Sequence, residues 1–384
     1  EIFNRPGKGV HMPFTFFALY CEQGGTKVVR VLEGPLEPPF TTGFGFRRVF
    51  VPGLPRMEKA RFKGEYPFAE VELSDGKVPL AVTLEAFNPL IPLNAEDSGI
   101  PAFVLRYRVR NNGASPAKIT IAGSVVNPIG FAGEGQVDGL GNDKFGQNVN
   151  EVRRTANLRG LAMSSRKAAP GSPAFGTMAL TTPWPDITYL THWVRGDWWD
   201  DLQIFWDDLS DDGRLADLDE VSPSPDKRTD VGTLGLTATI PPGGEVVLPF
   251  ILSWSFPNVL NYFDIVPEQR GRVLKNHYAA KFPDAWCAAE YLQANLGRLE
   301  AESRAFHRAF FATTVPPHVL DAVSSQAAII RTTTGMRLEG GRYFGFEGCG
   351  DQGGCCPLNC AHVWNYAQSL AFLFPELERS MRET

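Results

Sequence analysis

Near residue 280 the apolar pattern of this chain changes period, from two to between three and four, and so separates a sheet-forming part from a helix-forming part. Upstream, Phe103, Leu105, Tyr107 and Val109 alternate with Arg106, Arg108 and Arg110, as in a half-buried antiparallel strand. Asn111-Asn112-Gly113 supplies a turn after it. Ala69, Val71 and Leu73 alternate with Glu70 and Glu72 in the same way. Leu234, Leu236, Ala238 and Ile240 lead into a turn at Pro241-Pro242-Gly243-Gly244. The pattern resumes at Glu245, and Pro249 predicts an edge or a bulge because proline cannot donate to a ladder. Many short strands separated by turns predict a large antiparallel β-sandwich, with no internal repeat.

Downstream, Ala285, Ala289, Leu292, Leu296, Leu299, Ser303, Phe306 and Phe310 form one stripe along a long helix, with Asp284 as its N-cap. Pro316-Pro317 opens another helix whose buried face would be Val319, Leu320, Val323, Ala327 and Ile330. A third, from about Cys360, places Val363, Ala367, Leu370 and Phe374 on one side, and Pro375 kinks or ends it. The division predicted is a sandwich over 1–275, a helical linker over 276–312 and the opening of a second, α-helical domain over 313–384. Both ends of the chain read as cut, since it starts at Glu1 and stops within a helix-like stretch.

Charge narrows the function. With 37 basic and 43 acidic residues the net charge is −6, which argues against non-specific nucleic-acid binding. No apolar run approaches the roughly 18 residues of a membrane span. The 38 glycines, 30 prolines, 27 phenylalanines and 8 tryptophans suit a turn-dense β protein with aromatic surfaces, for which carbohydrate is a fitting ligand. The oligomeric state is left open.

Four places carry candidate chemistry. In Arg342-Tyr-Phe-Gly-Phe-Glu347-Gly348 a lone Glu sits among aromatics, where a carboxylate could be aimed at an anomeric carbon. The alternative is a surface Glu in an inter-helix loop. Cys349, Cys355, Cys356 and Cys360 fall within twelve residues. They could hold a structural Zn²⁺, but the spacing fits no standard knuckle, and an inert loop or local disulfide is the plainer reading. The tract from Trp193 through Asp200-Asp201, Trp206-Asp207-Asp208 and Asp211-Asp212 could stack a sugar or bind Ca²⁺. It lacks EF-hand order, and a strand with solvated loops is the alternative. The glycines between Gly130 and Gly146 form neither a Walker loop nor a dinucleotide fingerprint, and read as a mobile loop or a lid. No resident cofactor is called for.

Longer segments carry a resemblance. Glu1-Ile-Phe-Asn-Arg-Pro-Gly-Lys-Gly9, Ala86-Phe-Asn-Pro-Leu-Ile-Pro-Leu93 with Asp97-Ser-Gly-Ile-Pro101, Phe282-Pro-Asp-Ala285, Leu320-Asp-Ala-Val-Ser-Ser325, Phe346-Glu347-Gly348 and Phe374-Pro-Glu-Leu-Glu378 are similar to segments of bacterial β-glucosidase-like and glucosylceramidase-like proteins of glycoside hydrolase family 116. The resemblance touches nearly the whole chain. It implies an N-terminal β-sandwich packed on an (α/α)6 barrel, and retaining hydrolysis of β-glucosides or glucosylceramide-like glycolipids. Residue by residue it makes Glu347 the nucleophile. The family's acid/base is an Asp on a later barrel segment, which would lie past Thr384, so the present stretch alone is not expected to turn over. Where more familiar members carry Tyr-Asp-Val-His, this chain has Asn359-Cys-Ala-His-Val-Trp-Asn365, and His362 and Trp364 are the candidate sugar contacts. Two rival readings are a sandwich that binds glycan without catalysis, testable on a protein ending near residue 275, and an inverting (α/α)-barrel glycosidase.

Overall fold

The computed structural model describes residues 12, 14–35, 54–131, 139–197, 200–264, 266–332, 335–345, 359 and 369–383. Among these, thirteen strands form two antiparallel sheets. The smaller has the order β11 (Ile187–Leu190), β12 (Val231–Ile240), β7 (Ala117–Val126), β1 (Phe16–Gln23), β2 (Thr26–Val31). The larger runs β3 (Lys59–Glu65), β4 (Phe68–Ser74), β5 (Leu80–Phe87), β6 (Ala102–Asn111), β13 (Glu245–Ser255), β10 (Thr177–Thr182), β9 (Arg159–Ser165), β8 (Asn148–Arg154). The expected sandwich is therefore present.

Its central core is made by the alternation seen in the sequence. Leu105, Tyr107 and Val109 of β6 and Leu248, Phe250 and Leu252 of β13 face Phe17, Leu19, Ile119, Ile121, Leu234 and Leu236 of the smaller sheet. Tyr107 and Phe250 meet edge-on, with centroids 6.1 Å apart. The expected turn at Asn111-Asn112-Gly113 carries the chain from one sheet to the other. The fully buried Asn111 side chain ties that crossing down, donating to the carbonyls of Ile240 and Ser115 and accepting from Gly113 N and Gln23 Nε2.

The position of Pro249 differs from expectation. It lies in a central strand, opposite Arg106. The pairing of β13 with β10 covers Thr177 to Thr181 and ends at Ile251, so Pro249 sits where β10 has run out. Its carbonyl accepts the Thr182 hydroxyl at 2.6 Å.

Both outer sheet faces are covered, which adds two further cores. Helix α2 (Asp200–Asp212) lays Leu202, Phe205 and Leu209 on Phe16, Ala18 and Tyr20 of the smaller sheet. Its last carbonyls are capped by neighbouring strands: Lys27 Nζ donates to Asp211 O and Lys118 Nζ to Asp212 O. Gly213 follows at φ +77, and a Cβ there would stand 2.3 Å from the Tyr20 ring, so only glycine fits.

Helix α3 (Ala285–Phe311) covers the larger sheet. Asp284 caps it as expected, accepting from Cys287 N at 2.8 Å. Ala285, Ala288, Ala289 and Leu292 pack on Ala102, Val104, Ala179 and Ile251, and the small alanines let the helix axis come close. A closed ring of charges fixes the helix along the sheet. Arg106 grips Glu300 with two bonds of 2.8 and 2.6 Å, Arg304 bonds Glu300 at 2.8 Å and Glu85 at 2.7 Å, and Arg106 reaches Glu85 at 3.1 Å.

Beyond α3, one expected buried face is found largely exposed. Helix α4 (Pro317–Ala327) buries Ser324 and Ala327, while Val319 and Val323 are exposed, because no described element packs on that side. The helix expected from Cys360 is described only as α5 (Ser369–Leu373), which ends before Pro375; α6 (Pro375–Glu383) starts on that proline.

Candidate active site

Among the described residues two short ribbons follow the sandwich strands, and the first pairs β14 (Asn258–Leu260) with β15 (Val273–Lys275). β16 (Gly335–Arg337) and β17 (Tyr343–Gly345) pair as a short antiparallel hairpin, with Arg337 opposite Tyr343 and Gly335 opposite Gly345. Glu347, His362, Trp364 and all four clustered cysteines lie outside the described residues. The site can thus be built up to Gly345, two positions before the candidate nucleophile.

A hairpin of two three-residue strands is marginal by itself, so its surroundings must hold it. Tyr343 is buried against Leu90, Leu370, Phe374, Leu377 and Met381. Its backbone N–H donates to Ser380 Oγ at 3.1 Å. The Tyr343 hydroxyl lies beneath Gly335, where a Cβ would approach it to 2.1 Å. Burial pushes the Tyr343 phenol well above its usual range, so it stays protonated. On the other face, Phe344 and Leu338 pack on Phe263. Gly345 N donates to Asn359 Oδ1 at 3.2 Å. The hairpin is therefore wedged between two apolar clusters.

The sandwich reaches the hairpin through helix α1 (Ala95–Ser98), a single turn capped by Asn94, whose Oδ1 accepts from Asp97 N at 3.1 Å. Its two acids point to different partners. Asp97 is buried and takes Arg298 Nη1 at 2.9 Å and the Tyr291 hydroxyl at 2.8 Å, both from α3. Glu96 takes Arg337 Nη2 of β16 at 2.8 Å, and His277 Nε2 lies 2.9 Å from the same oxygen. Arg337 Nη1 also donates to Ala95 O at 3.4 Å. For both carboxyls burial works upward. It is outweighed at Glu96 by His277 and Arg337, and at Asp97 by Arg298, Tyr291 and Asn94, so both are held below the ordinary carboxylate range. The sequence reading missed Glu96, His277 and Arg337. The visible signal was Asn94-Ala-Glu-Asp97, an N-cap followed by first-turn acids.

The other candidates lie elsewhere. From Asp200 to Asp212 the acidic-aromatic tract is helix α2 and not a strand with solvated loops, while Trp198 and Trp199 lie outside the described residues. Trp193 is buried, stacks on Phe205 at 4.5 Å and donates to Thr233 Oγ1 at 2.8 Å. Asp201 is buried against Arg228 at 3.1 Å. Among the described residues no three His, Cys, Asp or Glu side chains converge where a metal ion could be held. In the glycine-rich stretch, the described residues after Gly139 are pinned, with Asn148 Oδ1 accepting from Gly146 N and Asn148 Nδ2 donating to Ile129 O; 132–138 lie outside the described residues. A cavity of about 1020 Å³ over β3–β5, lined among others by Lys59, Arg61, Leu73 and Val82, shares no residue with the hairpin. No described helix is long and apolar enough to cross a membrane.

Residues 8–299 match the family model described as beta-glucosidase 2, glycosyl-hydrolase family 116 N-term. Among solved structures, a polysaccharide lyase aligns at 10% identity and TM-score 0.32, over 65% of this chain and 27% of that one. A protein described as a candidate kojibiose phosphorylase from the human microbiome aligns at 8% and 0.34, over 81% and 31%. A galactose mutarotase-like protein from Lactobacillus casei aligns at 8% and 0.27, over 66% and 84%. The chain thus spans about a third or less of the length of the first two, and likenesses this loose carry no argument.

Proposed function

Because the chain belongs to glycosyl-hydrolase family 116, with its N-terminal domain matched over residues 8–299, we propose that the protein is a retaining glycoside hydrolase acting on β-glucosides or glucosylceramide-like substrates. In this reading residues 1–275 are the sandwich, 276–312 the linking helix and 313–384 the opening of an (α/α)6 barrel. The observation that carries it is the family match, joined to the Phe346-Glu347-Gly348 motif directly after the wedged strand β17.

Glu347 acts as nucleophile. Its carboxylate forms a bond to C1 of the sugar as the bond from C1 to the leaving oxygen breaks, and an acid in the later part of the protein protonates that oxygen. Water then attacks C1 of the glycosyl ester, giving its proton back to the same group and freeing Glu347. In retaining enzymes the two carboxyls stand about 5–5.5 Å apart, and the acid partner is an Asp beyond this chain. His362 and Trp364 contact the sugar, the indole covering one face.

The test is turnover of an activated β-glucoside by the full-length protein and its Glu347→Ala variant. A fall of at least about a thousandfold supports the assignment; equal rates remove Glu347 from the mechanism. A first product with inverted anomeric configuration would replace the retaining mechanism by the inverting one.

A further inference from the structure

Glu96 and Asp97 are neighbours on one turn of helix, yet they hold different parts of the molecule. Asp97 is buried and secures α3 through Arg298 and Tyr291. Glu96 is half-exposed, with 52% of its side chain accessible, and holds Arg337 of β16 and His277 of the segment before α3. Because water reaches the Glu96 carboxylate, although the Arg337 side chain is only 20% accessible, the pair contributes modestly to stability. What it fixes is direction. Arg337 is paired across the hairpin with Tyr343, two residues before the end of β17, so a tilt of β16 is handed directly to the strand that runs on toward residue 347.

Tyr343 and Phe344 set the depth of the hairpin through their apolar clusters. Apolar packing is non-directional. The bonds from Tyr343 N to Ser380 Oγ and from Gly345 N to Asn359 Oδ1 restrain β17, and the pairing partner β16 still needs a directional contact to the sandwich to keep the ribbon from rocking. Arg337 opposes that rocking, because its guanidinium is held from two sides, by Glu96 Oε1 and by the Ala95 carbonyl. These acceptors sit on a capped turn of the sandwich, a rigid base.

We propose that Glu96 is a positioning residue: through Arg337 it sets the angle of the β16–β17 hairpin and so the aim of the nucleophile. This rests on the reading of Glu347 as nucleophile. It gives the sandwich a part in the reaction that a passive support would not have. A misplacement of the order of 1 Å can cost about a hundredfold in rate, so a small rotation of the hairpin is enough to show.

The experiment compares Glu96→Ala, Glu96→Gln, Asp97→Asn and Glu347→Ala in the full-length protein. Its readouts are kcat and KM for an activated β-glucoside, the rate of covalent labelling of residue 347 by an activated 2-deoxy-2-fluoro-β-glucoside, and the melting temperature. Glu96→Ala should lower kcat and the labelling rate together by about tenfold or more, with KM within about twofold and melting within about 2 °C of wild type. Glu96→Gln, which can still accept from Arg337, should recover part of the loss. Asp97→Asn should lower melting more than either.

Glu96→Ala with wild-type kcat and labelling rate, beside an inactive Glu347→Ala, overturns the positioning role and leaves the nucleophile standing. So does a loss of activity that comes only from fewer labelled molecules, each reacting at the wild-type rate, since that is instability. An active Glu347→Ala overturns the parent reading and the inference with it.

Discussion

Replacing Glu300 by Ala tests how the helical part is fastened to the sandwich. Ala is the best helix former, so α3 gains nothing but the loss of a carboxylate. That carboxylate takes two bonds from Arg106 and one from Arg304, with the Arg106 and Glu300 side chains only 19% and 20% accessible. Without it two guanidinium groups share Glu85 alone. Breaking a fully buried pair costs about 3–5 kcal/mol, and an exposed pair is worth at most about 1. Partial burial places this one near 2 kcal/mol, or about a thirtyfold rise in the local opening equilibrium. The assay is hydrogen exchange of the α3 amides, where sub-global opening is read directly. A double-mutant cycle with Arg106→Ala should return a coupling of about 1 kcal/mol or more.

The pH dependence follows from the same geometry. The bonds from Arg106, opposed by burial and reinforced by Arg304, hold Glu300 below its ordinary value of 4.5. A carboxyl lowered in the folded state contributes its stability above the unfolded-state value, and that contribution is lost as pH falls through the folded-state value. Opening of α3, corrected for intrinsic exchange, should therefore rise as pH drops from about 5.5 to below 4, and rise less in Glu300→Ala. An α3 exchange pattern unchanged within twofold in the variant would refute the clamp.

Three further outcomes are expected. Trp193→Ala removes a buried, stacked and hydrogen-bonded indole and should cost about 3–5 kcal/mol, seen as faster exchange in α2, with no effect on glycan binding by the intact protein. Gly160→Ala should destabilise strongly or abolish soluble expression, because a Cβ there, at φ +150, would stand 2.2 Å from Leu180 O. The buried Cys21 thiol is pushed up to about 11 by desolvation, so at pH 8 it should react with iodoacetamide far more slowly than a free cysteine; peptide mass analysis would show it.

Much of the fold was legible because alternation reports which face of a strand is dry. It could not report that β6 has two dry faces. Val104 reads as part of a mixed run, and Arg106 as a solvent residue, until α3 is seen lying over them. Helix α2 was hidden by its six aspartates, although Leu202, Phe205 and Leu209 already had helical spacing. On α4 the stripe was real, but a stripe does not say what it packs against. At the site, Phe-Glu-Gly could be read locally. Glu96 could not, because its meaning depends on Arg337, which lies far along the chain and is brought near only by the fold.

The larger sheet is a party wall. Leu105, Tyr107 and Val109 furnish one side of it, and Ala102, Val104 and Ile251 the other. To sever the protein near residue 275 would be to strip one room to bare plaster, leaving those side chains, with Phe68 and Phe87, facing water. A sandwich made for glycan-binding work should therefore keep the chain through Phe311; the shorter piece is expected to clump, and a binding signal from it would report stickiness rather than recognition.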